Sequence, residues 1–183
     1  MATIFVDQML CKESSDAADD IYMIAFRGNT TPPFDSNVAV KGPGNFWDDF
    51  DTGEPWNQDI PIAMYRPDAV YVVMLVEQDS GRDIGDKSLG LWKTITDGDW
   101  KGTMISQLAA NLPPNQEPQM TAAAVSMINA FKGAADATIR APKDPDDTLG
   151  APQRLIVSPG NPRTLEFKEK GGTGHYRVRF KVQ

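Results

Sequence analysis

Apolar residues recur along this chain in three rhythms, and the points where one gives way to another mark its elements. The most concentrated rhythm is the continuous run Val70-Tyr71-Val72-Val73-Met74-Leu75-Val76. It is β-branched and long enough for a strand buried on both faces. It turns abruptly at Glu77 into an acidic, glycine-bearing loop carrying Asp79, Asp83 and Asp86, then becomes apolar again at Leu89. A second rhythm is strict alternation, clearest at the C-terminal end. There Tyr176, Val178, Phe180 and Val182 are expected to face a core, and His175, Arg177, Arg179 and Lys181 to face out.

Further strands are predicted over residues 4–10, 21–27, 60–65, 154–157 and 164–168, with a short one at 38–40. Leu91, Lys93 and Ile95 alternate with Trp92 and Thr94, extending the β pattern, and Asp97-Gly98-Asp99 reads as a turn and helix start. The third rhythm is helical. Residues 103–112 carry Met104, Ile105, Leu108, Ala109 and Leu112, and residues 117–132 carry a stripe of Met120, Ala123, Ala124, Met127, Ile128 and Phe131, with Gly133 as the stop. The β reading resumes over 137–140. Eight or nine strands with Gly/Pro punctuation predict a mainly β protein, an antiparallel β-sandwich with a helical hairpin inserted at about 100–133.

At 183 residues the chain fits a single domain, 1–183, with the hairpin inside it. Hydrophobic content of 40% beside 23% charged residues is that of a globular protein. The net charge of −7 argues against nucleic acid as a partner, since phosphate binding needs a positive footprint. Cys11 is the only cysteine, so no intrachain disulfide or thiolate cluster can form. The N-terminal residues lack a basic segment followed by an apolar one, so a cytoplasmic protein without a signal peptide is expected, with export by a non-classical route left open. No stretch is apolar enough for a transmembrane segment.

The acids are where chemistry is to be sought. Three acidic loops each follow a predicted strand: one with Asp16, Asp19 and Asp20, one with Glu77, Asp79, Asp83 and Asp86, and one with Asp144, Asp146 and Asp147. Clustered carboxylates raise one another's pKa unless a cation neutralises them. Calcium, with its 6–8 oxygen ligands in flexible geometry, is the cation suited to such loops. The plainer reading is that turns demand Asp, Gly and Ser in any case. Zinc is disfavoured by one histidine and one cysteine far apart. His175 stands among basic residues in an alternating strand, a poor setting for a general base, and no pair of acids is singled out for glycoside chemistry, so an enzyme is not expected. Asp49-Phe50-Asp51-Thr52-Gly53 begins like an EF-hand loop, but its glycine falls too early and no glutamate closes it.

Trp47, Phe50 and Trp56 lie in a turn-rich stretch. Packing of that loop onto a sheet is the preferred reading, and an aromatic contact with a lipid membrane or protein partner the sharper one. The stripe of Lys168, Lys170, Arg177, Arg179 and Lys181 is the basic surface of an acidic protein. It is either a solvated sheet face or a seat for a phosphate or lipid headgroup.

Two places resemble the C2-type domain, a β-sandwich that commonly binds calcium and phospholipid. Val76-Glu77-Gln78-Asp79 running to Asp86 and Leu89-Gly90 resembles that family's third acidic loop, and Asp19-Asp20-Ile21-Tyr22 stands in place of its first-loop Ser-Asp-Pro-Tyr. Glu77 replaces an aspartate, the gap before Asp86 is one residue longer, and no proline follows Asp20. The resemblance implies that Asp16, Asp19 or Asp20 converge with Glu77, Asp79 and Asp86 on a calcium site at the sandwich tip, in a module without catalysis. Two alternatives stand beside it. One is a toxin-like, membrane-active protein working through the tryptophan loop and helical insertion; the other is a metal-free structural or interaction module.

Overall fold

The computed structural model describes residues 1–15, 18–42, 47–78, 86–110, 116–138 and 147–183, without the side chains of 86–89, 91, 95, 96, 99, 107, 108, 134–138 and 147. In chain order the strands are β1 (Thr3–Glu13), β2 (Ile21–Asn29), β3 (Ser36–Lys41), β4 (Pro55–Trp56), β5 (Ile60–Met64) and β6 (Ala69–Glu77). Helices α1 (Asp86–Ala109) and α2 (Glu117–Thr138) follow, then β7 (Asp147–Thr148), β8 (Gln153–Arg154), β9 (Arg163–Lys168) and β10 (His175–Val182). All pairings are antiparallel. The first sheet runs β4-β1-β10-β9, with β5 beside β4 along the same edge of β1; the second runs β3-β2-β6, with β7 and β8 along the far edge of β6.

The molecule has three layers. Ile4, Val6, Met9, Phe167, Val178 and Phe180 of the first sheet meet Ile21, Met23, Ala25, Tyr71, Val73 and Leu75 of the second. The opposite face of the second sheet, with Tyr22, Ile24, Phe26, Val70, Val72, Met74 and Val76, is covered by Trp92, Trp100, Met104, Ala123, Ala124, Met127 and Phe131 of the helices. All nine residues of β6 are therefore buried, as its unbroken apolar run predicts. The antiparallel β-sandwich with a helical insertion is the observed architecture.

The insertion is larger than expected. The strand expected around Leu91–Ile95 is helical, Asp97-Gly98-Asp99 lies inside α1 instead of starting it, and Gly133 does not stop α2, which continues through Ala137 and Thr138 where a strand was expected. Tertiary packing overrides the local signals here. Trp92, Trp100 and Met104, spaced eight and four residues apart, fall on one helical side and all reach the core. Trp100 makes the closest approach: Gly28 leaves so little room that a Cβ there would lie 2.3 Å from the indole Cε2. The indole N–H donates to the Asn29 carbonyl at 3.1 Å, and the ring meets Phe26 edge-on, centroids 5.3 Å apart. Arg154 adds a second tie, donating to both Glu117 carboxylate oxygens at 2.6 and 3.1 Å. Among the described residues no helix is long and apolar enough to cross a membrane.

Candidate functional site at the acidic end

Strand pairing brings the strand ends that border the acidic segments to one end of the sandwich. In the second sheet Ile21 faces Glu77 and Glu77 faces Asp147, while the Gln78 N–H donates to the Asp20 carbonyl at 2.8 Å. In the first sheet the same end is closed by Glu13 opposite His175 and His175 opposite Lys168. Thr173, in the turn between β9 and β10, ties that turn to the segment leaving β1: its hydroxyl donates to the carbonyls of Ser14 and Ser15 at 3.0 and 3.3 Å. The residues just before β2, the end of β6 and the start of β7 thus lie at the same end of the second sheet.

Asp19 is tightly held. It is 1% exposed. The Ser15 N–H donates to its two carboxylate oxygens at 3.1 and 3.0 Å, and the Tyr176 hydroxyl donates to Oδ2 from the first sheet. Its backbone forms a bridge with Phe50, N–H to carbonyl in both directions at 3.2 and 2.9 Å. Burial, and then the hydrogen bond to Asp19, push the Tyr176 phenol far above its ordinary range. Burial likewise raises the Cys11 thiol, opposed by its hydrogen bond with Tyr176. Cys11 sits directly opposite Tyr176 in the β1–β10 register.

Asp20 takes a different partner: its Oδ1 accepts the Asp49 N–H at 3.0 Å. The segment 47–50 is bent to reach it, with positive φ at Trp47 (67°) and Asp49 (51°). An aspartate tolerates that conformation, whereas a tryptophan adopts it only when its surroundings impose it. Here the imposition is burial of the indole, 1% exposed, and the Ile21 N–H donated to the Trp47 carbonyl at 2.8 Å. Glu77, 3% exposed, follows Tyr71, Val73 and Leu75 by alternation onto the face between the sheets. The next residue, Gln78, is 6% exposed, and its Oε1 has no hydrogen-bond partner among the described residues.

Several expected ligands lie outside the described residues: Asp16, Asp79, Asp83, Asp144 and Asp146. Asp86 is the first residue of α1 and Asp147 the first of β7, both described in backbone only. Leu89-Gly90, expected to close an acidic loop, lies within α1. Among the described residues no group of three or more His, Cys, Asp or Glu side chains is arranged to hold a metal ion. A calcium ion asks for 6–8 oxygens, and Asp19 and Asp20 already accept internal donors, so the described carboxylates do not by themselves fit that ion.

The aromatic and basic candidates separate clearly. Trp47 and Phe50, proposed from sequence as a contact surface, are each 1% exposed and belong to the core between the sheets; the packing reading is the correct one for both. Trp56 is half-buried against that core, its indole N–H donating to the Gln58 carbonyl at 3.3 Å. Lys168 and Lys170 are exposed. Arg177 pairs with Glu166 at 3.0 Å, Arg179 with Asp7 at 2.7 Å, and Lys181 with Asp59 at 2.9 Å. Much of the basic stripe is thus neutralised on the sheet itself. Sequence reasoning missed the anions. Glu166 gathers Lys12, Arg177 and His175, and their hydrogen bonds lower its pKa to about 2. Its place on the outer face was legible from the alternation of β9. Asp7 sits at a register shift between Val6 and Gln8, a bulge that re-aims a side chain and leaves no sequence signal.

A cleft of about 140 Å³ opens at the opposite end, between Tyr65, Arg66 and Tyr71 on one side and Met120 and Arg154 on the other. Its arginines are committed, Arg66 to Asp68 at 2.9 Å and Arg154 to Glu117.

No family model matches the sequence, and no curated protein matches it. Among solved structures the chain is similar to the C2A domain of plant Extended Synaptotagmin 1. The identity is 10%, over 100% of this chain and 92% of that one, and the TM-score is 0.40. The fold assignment itself is carried by the layers and strand pairings described above.

Proposed function

We propose that the protein is a non-catalytic binding module whose acidic end is its working surface, responsive to calcium and docking there to an anionic phospholipid surface. The observation that supports this reading is the register Ile21–Glu77–Asp147, which aligns at one end of the second sheet the three strand ends that border acidic segments of the sequence. Carboxylates crowded together repel one another, and a divalent cation relieves that repulsion. A net charge of −7 also opposes approach to an anionic surface. Neutralising the acidic end removes the local part of that barrier, where Lys168 and Lys170 stand exposed.

A second reading, a metal-free interaction module, is favoured by the internal donors on Asp19 and Asp20. Melting with and without calcium separates the two, because a ligand that binds only the native state raises the midpoint. The first reading predicts a calcium-dependent rise that disappears when Asp79 and Asp86 are replaced by Asn. An unchanged midpoint in the parent protein contradicts it. Flotation with phosphatidylserine vesicles, with calcium and then with chelator, tests docking. A toxin-like, membrane-active reading draws less support, since Trp47 and the Trp92, Trp100, Met104, Met127 and Phe131 side chains of the helices are buried in the cores.

A further inference from the structure

We propose that Asp19 is the positioning residue of the acidic end, an internal anchor that holds the loops in place and does not itself serve as a ligand. Its carboxylate receives the Ser15 N–H and the Tyr176 O–H at 1% exposure. Its backbone is bridged to Phe50. One residue thereby fastens the loop 14–20 to the first sheet through Tyr176 and to the segment 47–50 through Phe50. The next residue, Asp20, is placed by these ties: its side chain meets Asp49 and its carbonyl meets Gln78. Moving Asp19 onto an external cation would strip the Ser15 N–H and the Tyr176 hydroxyl of their acceptor in a buried setting, which is costly. The sequence offers the opposite expectation, with Asp19 as a ligand.

This inference goes beyond the proposed function and stands on contacts that need no cation. Cys11, buried and directly opposite Tyr176 in the β1–β10 register, is the chain's single thiol and so reports on the anchor. Asp19→Asn preserves the shape of the anchor, because the amide oxygen accepts from Ser15 while its N–H₂ can donate to the tyrosine oxygen. Asp19→Ala and Tyr176→Phe break it. In calcium-free buffer, Cys11 of the parent protein and of Asp19→Asn should react slowly with a thiol reagent. In Asp19→Ala and Tyr176→Phe it should react more than about tenfold faster, the scale set by losing a charge-assisted hydrogen bond. Amide exchange should quicken at Ser15 and Phe50 while Thr30 and Ala69, at the other end, stay protected, which separates local release from general destabilisation. Should Asp19→Ala fail to fold, Tyr176→Phe against Asp19→Asn makes the same comparison.

Equal thiol rates in all four proteins would overturn the anchor. So would loss of the calcium-dependent melting shift in Asp19→Asn, since an anchor survives that replacement and a ligand does not. If the parent protein shows no calcium shift, the proposed function fails while the thiol rates still decide the role of Asp19.

Discussion

The two sheets use similar strands and opposite outer faces. In the second sheet both faces are dry, one against the first sheet and one beneath the helices. In the first sheet the outer face meets water, and Glu166, Asp7 and Asp59 are set among Lys12, His175, Arg177, Arg179 and Lys181. The contrast is written in sequence period. A sheet covered twice gives the unbroken run of β6, and a sheet covered once gives the alternation of β10. It also divides the energetics. The outer face of the second sheet depends on fit between large side chains, that of the first on satisfied charge.

That division is open to attack, beginning with its largest effect. Trp100→Ala should cost about 3–5 kcal/mol by denaturant unfolding, the range for emptying a buried aromatic site. Gly28→Ala attacks the same joint from the sheet side. With only 2.3 Å between its added Cβ and the indole, it should cost about 1–3 kcal/mol as an overpacking change. If both variants melt like the parent protein, the helices are not docked as described. On the other sheet, Asp7→Ala should cost about 2 kcal/mol. Its carboxylate is only 6% exposed and is gripped by Arg179, but that arginine is 40% exposed, and solvent holds the effect below that of a fully buried pair.

The smallest effect is acid dependence. The pKa of Glu166 falls from 4.5 to about 2 because Lys12, Arg177 and His175 donate to it. A depressed carboxylate contributes stability that is fully present above its unfolded value and lost as pH falls through its folded one. Glu166→Gln should therefore flatten part of the acid limb of a melting profile between about pH 4.5 and 2, by a small amount given its exposure. An identical acid limb in both proteins would show that the cluster adds nothing to the first sheet.

Which parts of this were legible depends on how far apart the deciding residues lie. The long strands β1, β2, β5, β6, β9 and β10 follow period and β-branching, and the apolar stripe of α2 follows helical spacing, so these emerge from local sequence. The two-residue strands β4 and β7 carry no such signal, and the strand expected over 154–157 is only Gln153–Arg154. The start of α1 does not emerge from local sequence either. Five alternating residues, Leu91 to Ile95, fit strand and helix alike, and what decides is Trp92 reaching Phe131, ring centroids 5.1 Å apart. The acids of the candidate site were legible as a set, because turn-rich acidic loops stand out by composition. Their roles were not. Nothing local marks Asp19 as the partner of Tyr176, 157 positions away, or Trp47 and Phe50 as interior residues of a polar, turn-rich segment. Asp7 owes its pairing to a bulge that only strand register reveals.

The acidic end as a cation-responsive surface is tested most directly by following backbone amides in solution while millimolar calcium is added. The predicted result is change confined to Ser15, Asp20, Asp49, Gln78 and Leu149, with Thr30, Tyr65 and Ala69 at the opposite end unmoved. Amides that do not move anywhere, or that move around the Arg66–Arg154 cleft instead, would contradict it.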